Sequence, residues 1–502
     1  MTAQHTTRRR FLKSLGLGAA ACTLGAATNP WQRTAHAQTK NPFAAPGKDR
    51  PNILFLFTDD QTFGSLNVLN NPEVKTPNMD RLVRRGTTFT HCFNQGAWHG
   101  AVCVASRAML NTGRYLWTCG GDDCGDHPLW GETLGKAGYD TFMTGKWHNR
   151  AKALKRSFKT VGPTGGGMFG SKDTNAEENK AKGILKDPYN RPRPGNAWSP
   201  TDKTLTGHWR NVDGEIVHSS KLWADTAIDY LQDHTETDNP FFMYVAFHAP
   251  HDPRQSPKEF VDMYPPDQIK IPPNYLPEHP FDQGDHKLRD EVLAPFPRTK
   301  RDVQVHLSEY YAIITHADHH IGRILDALEA TGKTDNTIIV FSADHGLAVG
   351  QHGLMGKQNQ YDHSVRMPYV YCGPDIEAGR QIDAMVYLQS AFATTCEMAR
   401  VDAPTTIQFP SLVPLLTRKQ DKLYDSVYGA YRDFQRMVRT ERYKLIRYPH
   451  NGEVQLFDLQ NDPWEIKDLA EDPQYARTVK DLDAELHRWM KRTSDKLKLE
   501  AL

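Results

Sequence analysis

Net charge, cysteine and long apolar runs are all scarce in this chain. Its 61 Lys+Arg nearly cancel 60 Asp+Glu, leaving a formal charge of +1 over 502 residues. Without a basic field to attract a phosphate backbone, no nucleic-acid partner is expected. No apolar stretch reaches the ~20 residues a helix needs to cross a bilayer, so no membrane insertion of the mature chain is expected. Seven scattered cysteines do not make a disulfide framework. Neither C-x-x-C nor H-E-x-x-H spacing occurs, which removes the familiar zinc sites. Solenoid-type repeats are missing too. What remains, 38% hydrophobic and 24% charged residues, is the balance of an ordinary folded protein and excludes wholesale disorder. The length suits one large α/β domain with a smaller appendage.

The first residues read as an address. Arg8-Arg9-Arg10 and Lys13 precede the small, apolar stretch from Ser14 to Ala27, and Ala35-His36-Ala37 supplies an A-x-A cut site. Residues 1–37 are therefore expected to be a twin-arginine-type export signal, and the mature protein periplasmic or secreted. Cleavage would remove five cations (Arg8, Arg9, Arg10, Lys13 and Arg33) and no acids, leaving 56 basic against 60 acidic residues. That route carries folded proteins, which suits a chain that has a cofactor or modified residue installed before export. A disulfide between Cys119 and Cys124 stays open at this level.

Four apolar runs have the composition of buried strands, and each ends abruptly in ionisable residues. Ile53 to Thr58 leads into Asp59-Asp60, and Tyr139 to Thr144 into Gly145-Lys146-Trp147-His148. Phe241 to Phe247 leads into His248-Ala249-Pro250-His251, and Thr337 to Ser342 into Ala343-Asp344-His345-Gly346. Helix-like segments lie between them at 78–85, 134–137, 224–233 and 307–328. This alternation predicts an α/β fold with a mostly parallel central sheet flanked by helices. Ligands of such sheets bind where the carboxyl ends of the strands open, so the four polar tails are expected to meet. Singly, Asp59-Asp60 reads equally as a turn, and His248 or His251 as a hydrogen-bonded loop residue.

Residues 101–114, AVCVASRAMLNTGR, carry the most information. Val104 to Leu110 predicts a short helix with Gly113 near its C-terminal cap. Cys103 then sits at a helix N-terminus, where N–H groups favour an anion, with Arg107 one turn on. On its own, Cys103 reads as a buried structural cysteine or a thiolate nucleophile.

C-x-A-S-R followed by T-G-R resembles the signature of the type I sulfatases of the alkaline phosphatase superfamily. The commoner form has Pro where this chain has Ala105. The resemblance runs from about Arg50 to about Asp468. It takes in Pro51-Asn52-Ile53 into Asp59-Asp60, G-K-x-H at Lys146 and His148, and P-H-x-P at His251. It continues through Asp344-His345-Gly346, Lys357, and Glu453 to Leu459 followed by Asn461-Asp462-Pro463. It implies that Cys103 is oxidised to formylglycine, and the Ala105 variant is similar to the pattern accepted by radical-SAM maturases. It further implies a divalent cation, Ca²⁺ or Mg²⁺, on Asp59, Asp60, Asp344, His345 and the modified Cys103. Hard oxygen donors favour such ions.

The implied chemistry is sulfate-ester hydrolysis. The metal, Lys146, Lys357 and Arg107 would place positive charge where negative charge develops, and Arg107 and Lys146 would also hold the hydrated aldehyde. One hydroxyl at position 103, helped by Asp344, would attack sulfur. His251, or Lys357 beside it, would protonate the departing oxygen. His148 would take a proton from the other hydroxyl, expelling sulfate. Three rivals are a phosphonate monoester or phosphodiester hydrolase of the same superfamily, an inactive carbohydrate-binding protein, and a thiol peptidase.

Two loop-rich insertions, 152–214 and 253–297, are expected to shape the substrate site within a catalytic domain spanning 38–403. Trp98, His99, Trp198, His208 and Trp209 are candidates for contact with a sulfated carbohydrate, or for simple packing. Strands at 426–429 and 443–446 and a helix at 476–491 predict a small α+β subdomain over 404–502.

Overall fold

The computed structural model describes residues 43, 49–69, 71–169, 198–201, 203, 207–234 and 237–502. The export signal expected at 1–37 and the middle of the first insertion, 170–197, lie outside the described residues. Residues 41–502 make one compact unit.

At its centre is the strand Asn52–Thr58, buried on both faces. Phe241–Ala246 pairs with it in parallel on one side and Thr337–Ala343 on the other, with Leu54 opposite Met243 and Ile339. Asp140–Lys146 and Thr160–Gly165 continue the parallel sheet outward. Beyond Thr337–Ala343 the sheet becomes mixed: Tyr369–Cys372 runs antiparallel and Thr87–Phe93 follows. The near-continuous apolar character of the central strands is what double-sided burial requires.

Alternation along Asn52–Thr58 divides the core. Ile53, Phe55 and Phe57 pack with Trp130, Phe242 and Tyr244 on one face. Leu54 and Leu56 pack with Trp223, Met243 and Ile321 on the other. Each such side chain contributes about 1.5–3 kcal/mol by leaving water. The second face carries the helices Ser219–Asp233 and Lys300–Ala330, the latter longer at both ends than the sequence pattern suggests. Thr299 and Asp302 form a reciprocal cap that starts it.

A four-stranded antiparallel meander, from Ser426–Tyr431 to Glu453–Asp458, and the helix Ala476–Thr493 form the smaller α+β part. Gly96–Ala97 joins it as a fifth, parallel strand, and Val427, Leu445 and Trp489 belong to the same apolar cluster as Phe55. Because the main strands are parallel, their carboxyl ends share one edge, where Asp59-Asp60, Lys146, His248 to His251 and Asp344-His345 emerge.

Candidate active site

Cys103 lies in the first turn of the helix Val102–Thr112, which ends at Gly113 with left-handed φ 64° and its N–H on the Met109 carbonyl. The thiol is 1% exposed. Lys146 Nζ and Lys357 Nζ each stand 3.7 Å from its sulfur, and His148 lies beside the same side chain. Burial and Asp59 resist a thiolate, but Lys146 and Lys357 outweigh them and hold the thiol well below its usual range.

Asp59, Asp60, Cys103 and His345 offer one ligand atom each, all within 4.8 Å of one another. His345 Nδ1 contacts the Gly346 carbonyl at 3.0 Å, so that nitrogen carries a proton and Nε2 is left for the cluster. Nε2 lies 3.5 Å from Asp60 Oδ1 and 3.6 Å from Asp344 Oδ1. Asp59 Oδ1 is buried with no hydrogen-bond partner. An orphaned carboxylate oxygen and an inward-facing imidazole nitrogen fit a cation ligand set. The electrostatics agree. Burial disfavours charge on His345, yet Asp344, Cys103 and Asp60 hold it at about 9, so this place demands positive charge.

Asp344 is more fully engaged than its partners. Its Oδ1 accepts the N–H groups of Asp60 (3.2 Å) and His345 (3.0 Å), and its Oδ2 accepts Arg107 Nε at 3.2 Å and Nη2 at 3.1 Å. Arg107, fully buried, also reaches Asp59 Oδ2 at 3.1 Å and the Lys146 carbonyl at 2.7 Å. It therefore lies beneath the carboxylates and neutralises them. Lys146 pairs with Asp59. Ser106 Oγ donates to the Asp344 carbonyl at 2.7 Å, which ties the cysteine-bearing helix to the end of the Thr337–Ala343 strand.

Lys357 Nζ holds both oxygens of Asp60, at 2.8 and 3.0 Å, and these anions keep it well above its ordinary range despite burial. His251 approaches Asp60 Oδ2 with Nε2 at 3.9 Å, while its Nδ1 donates to the Asp252 carbonyl at 2.7 Å. Burial, then Lys357, push His251 down to about 3. His148 has φ 63° and a buried Nδ1 without a hydrogen-bond partner. Every nominated catalytic and metal-site residue thus converges on one buried locus.

Sequence reasoning missed the layer behind it. Asp290 Oδ2 lies 3.8 Å from Lys357 Nζ, and Arg289 bridges Asp252 and Asp290. Glu291 accepts the Met355 and Gly356 N–H groups at 2.9 and 2.8 Å, fixing the backbone that presents Lys357. The charged run 289–291 inside a proline-rich insertion was the available signal. Of the candidate carbohydrate contacts, Trp198, His208 and Trp209 are buried and pack the fold, while Trp98 and His99 stay half-buried. Cys119 and Cys124 are separate buried thiols.

Comparison with known proteins gives the arrangement its family. The Sulfatase family matches residues 51–399, and the C-terminal family of N-sulphoglucosamine sulphohydrolase matches residues 350–492. An arylsulfatase of Clostridium perfringens is 26% identical, covering 86% of this chain and 92% of its own. Among solved structures, BT4656 in complex with its substrate D-glucosamine-2-N,6-O-disulfate superposes with a TM-score of 0.69 at 23% identity, covering 89% of this chain and 99% of that one. A phosphonate monoester hydrolase from Silicibacter pomeroyi does so at 0.71 and 22%, covering 89% and 96%, a likeness of fold. A family match over most of the chain, on residues that converge around a buried cysteine, makes this protein a type I sulfatase of the alkaline phosphatase superfamily, a sulfuric ester hydrolase.

Proposed function

We propose that this sulfatase is exported and removes sulfate from a sulfated carbohydrate, using formylglycine made from Cys103 by a radical-SAM maturase before export. The observation that carries the reading is the pair of lysine ammonium groups, each 3.7 Å from Cys103 Sγ, above three carboxylates. Asp59, Asp60, Asp344 and His345, with the modified residue 103, would hold the cation. The oxygen-rich set favours Ca²⁺, which would supply Lewis-acid stabilisation of the sulfuryl oxygens. The hydrated aldehyde would supply a hydroxyl nucleophile with its own route for releasing sulfate.

The chain's own groups do the rest. Lys146 and Lys357 place charge where a sulfuryl group gathers it, and Arg107 keeps the carboxylates below from repelling the anionic ester. His148, beside position 103, receives the proton whose loss frees sulfate. His251 hands a proton to the departing sugar oxygen from Nε2, because Nδ1 is committed to Asp252. An arriving sulfate offsets the repulsion by Lys357 and raises His251 toward a donor's range.

The test is turnover by protein from a host carrying the maturase, offered a sulfated monosaccharide and a phosphonate monoester side by side. Preference for the sulfate ester is expected. Preference for the phosphonate would move the protein to the neighbouring branch of its superfamily.

A further inference from the structure

Within the first insertion, Gly207 and His208 lie against the loop that carries His251. His208 Nε2 contacts the His251 carbonyl at 2.8 Å, and its Nδ1 contacts Ser219 Oγ at 2.9 Å. A carbonyl only accepts, so Nε2 carries the proton and Nδ1 accepts from the serine. His218 repeats the arrangement: Nε2 faces the Gln255 carbonyl at 3.0 Å, and Nδ1 accepts the Ser220 N–H at 3.1 Å. The two rings stack 5.2 Å apart with planes 9° from parallel. One neutral imidazole therefore donates to each end of the turn 251–255.

Two backbone contacts complete the grip. Ser256 N–H donates to the Pro200 carbonyl at 2.8 Å. Gly207 has φ 55°, and a Cβ there would stand 2.2 Å from Pro253 Cγ, so only glycine lets the insertion close down on the proline. His208 is 2% exposed and His218 equally so, which leaves neither open to a sugar.

We infer that His208 is a positioning residue for His251: the insertion braces the 251–255 turn so that His251 Nε2 meets the departing oxygen. This rests on the reading of His251 as the leaving-group acid. A backbone carbonyl anchored at 2.8 Å fixes the origin of the side chain, while the Asp252 carbonyl fixes its ring. If His208 loses its donor, the His251 carbonyl is left buried and unpaired, a cost that the turn relieves by moving.

The experiment compares two substrates in one enzyme preparation, a sugar sulfate and an aryl sulfate whose phenol leaves without a proton. Their rate ratio does not depend on how much of the preparation is folded or matured. His208→Phe keeps the ring and removes both hydrogen bonds, and it should lower the ratio of sugar to aryl turnover by about tenfold, a fraction of what a general acid supplies. His251→Ala should lower it further in the same direction. His208→Gln, which still offers an N–H donor and an oxygen acceptor, should recover most of the loss. Gly207→Ala, acting through Pro253, should reproduce it. An unchanged ratio in His208→Phe alongside a lowered ratio in His251→Ala would overturn the brace alone. An unchanged ratio in His251→Ala would remove the acid itself, and the brace with it.

Discussion

Arg107 shows why the cysteine signature includes an arginine one turn on. It never reaches solvent, yet it serves Asp59, Asp344 and the Lys146 carbonyl at once. Removing one member of a buried ion pair strands the others. Arg107→Ala is therefore expected to cost about 3–5 kcal/mol of stability, read as a lower denaturant midpoint, with activity lost as well. Lys357→Ala should behave differently. It leaves Asp60 without its ammonium partner but near His345 and His251, so turnover should fall by two to three orders of magnitude while the fold survives. A melt as poor as that of Arg107→Ala would contradict the division between supporting and reacting cations. Cys103→Ala should abolish turnover and leave the melting curve in place.

At the scale of the element, the motifs are places where strands must end closely together. Gly145 has φ 102°, and a Cβ there would stand 1.8 Å from the Ala246 carbonyl oxygen. That is the physical content of the glycine in G-K-x-H. Substituting alanine should push the Asp140–Lys146 strand off its neighbour and carry Lys146 away from Asp59, so Gly145→Ala should lose activity far beyond its effect on secondary structure. Near-normal turnover in that variant would mean that the Lys146 position tolerates movement.

The same scale explains how much could be read beforehand. Ile53 to Thr58 and its three counterparts declare themselves by composition, because burial on both faces admits little but apolar residues. Their polar tails gave Asp59, Asp60, Lys146, His148, His251, Asp344 and His345, while Cys103 and Arg107 came from the segment 101–114 and Lys357 from the motif that follows Asp344-His345. The charged run at Arg289 and Asp290 was visible, but its role and that of Asp252 were not, because an irregular loop has no period and its role depends on which chain segment it lands against. Trp198, Trp209 and His208 stayed open between sugar contact and packing for the same reason. Residues in a polar insertion carry no sign of burial, and all three turned out to be packed inside. The strand Thr87–Phe93, which pairs with Tyr369–Cys372 and Arg380–Tyr387, was equally illegible, since its mixed TTFTHCF pattern matches no simple alternation.

The whole molecule stores a large number of histidines in neutral form. Burial pushes His208 and His279 down to about 4, and His91, His320 and His352 down to about 3. An unfolded chain holds its histidines near 6.5. Above that pH neither state binds these protons. As pH falls through 6.5 toward 4, the unfolded chain takes them up and the fold refuses them, so stability drops. Urea midpoints measured from pH 7.5 to 4.5 should decline steadily below about 6.5, and a flat profile would contradict the buried neutral state. Chelation offers a second test at this scale. Removing divalent cations should lower both turnover and melting temperature, because Asp59 Oδ1 is left buried without a partner. Ca²⁺ should restore both more completely than Mg²⁺, because it accepts irregular oxygen sets where Mg²⁺ demands an octahedron.

The central claim is that residue 103 acts as an aldehyde. Tandem mass spectrometry of the Cys103 peptide, from fully active protein made in its native host, tests this most directly. The account predicts formylglycine at position 103. An unmodified thiol there, in protein that turns over sulfate esters at full rate, would contradict it.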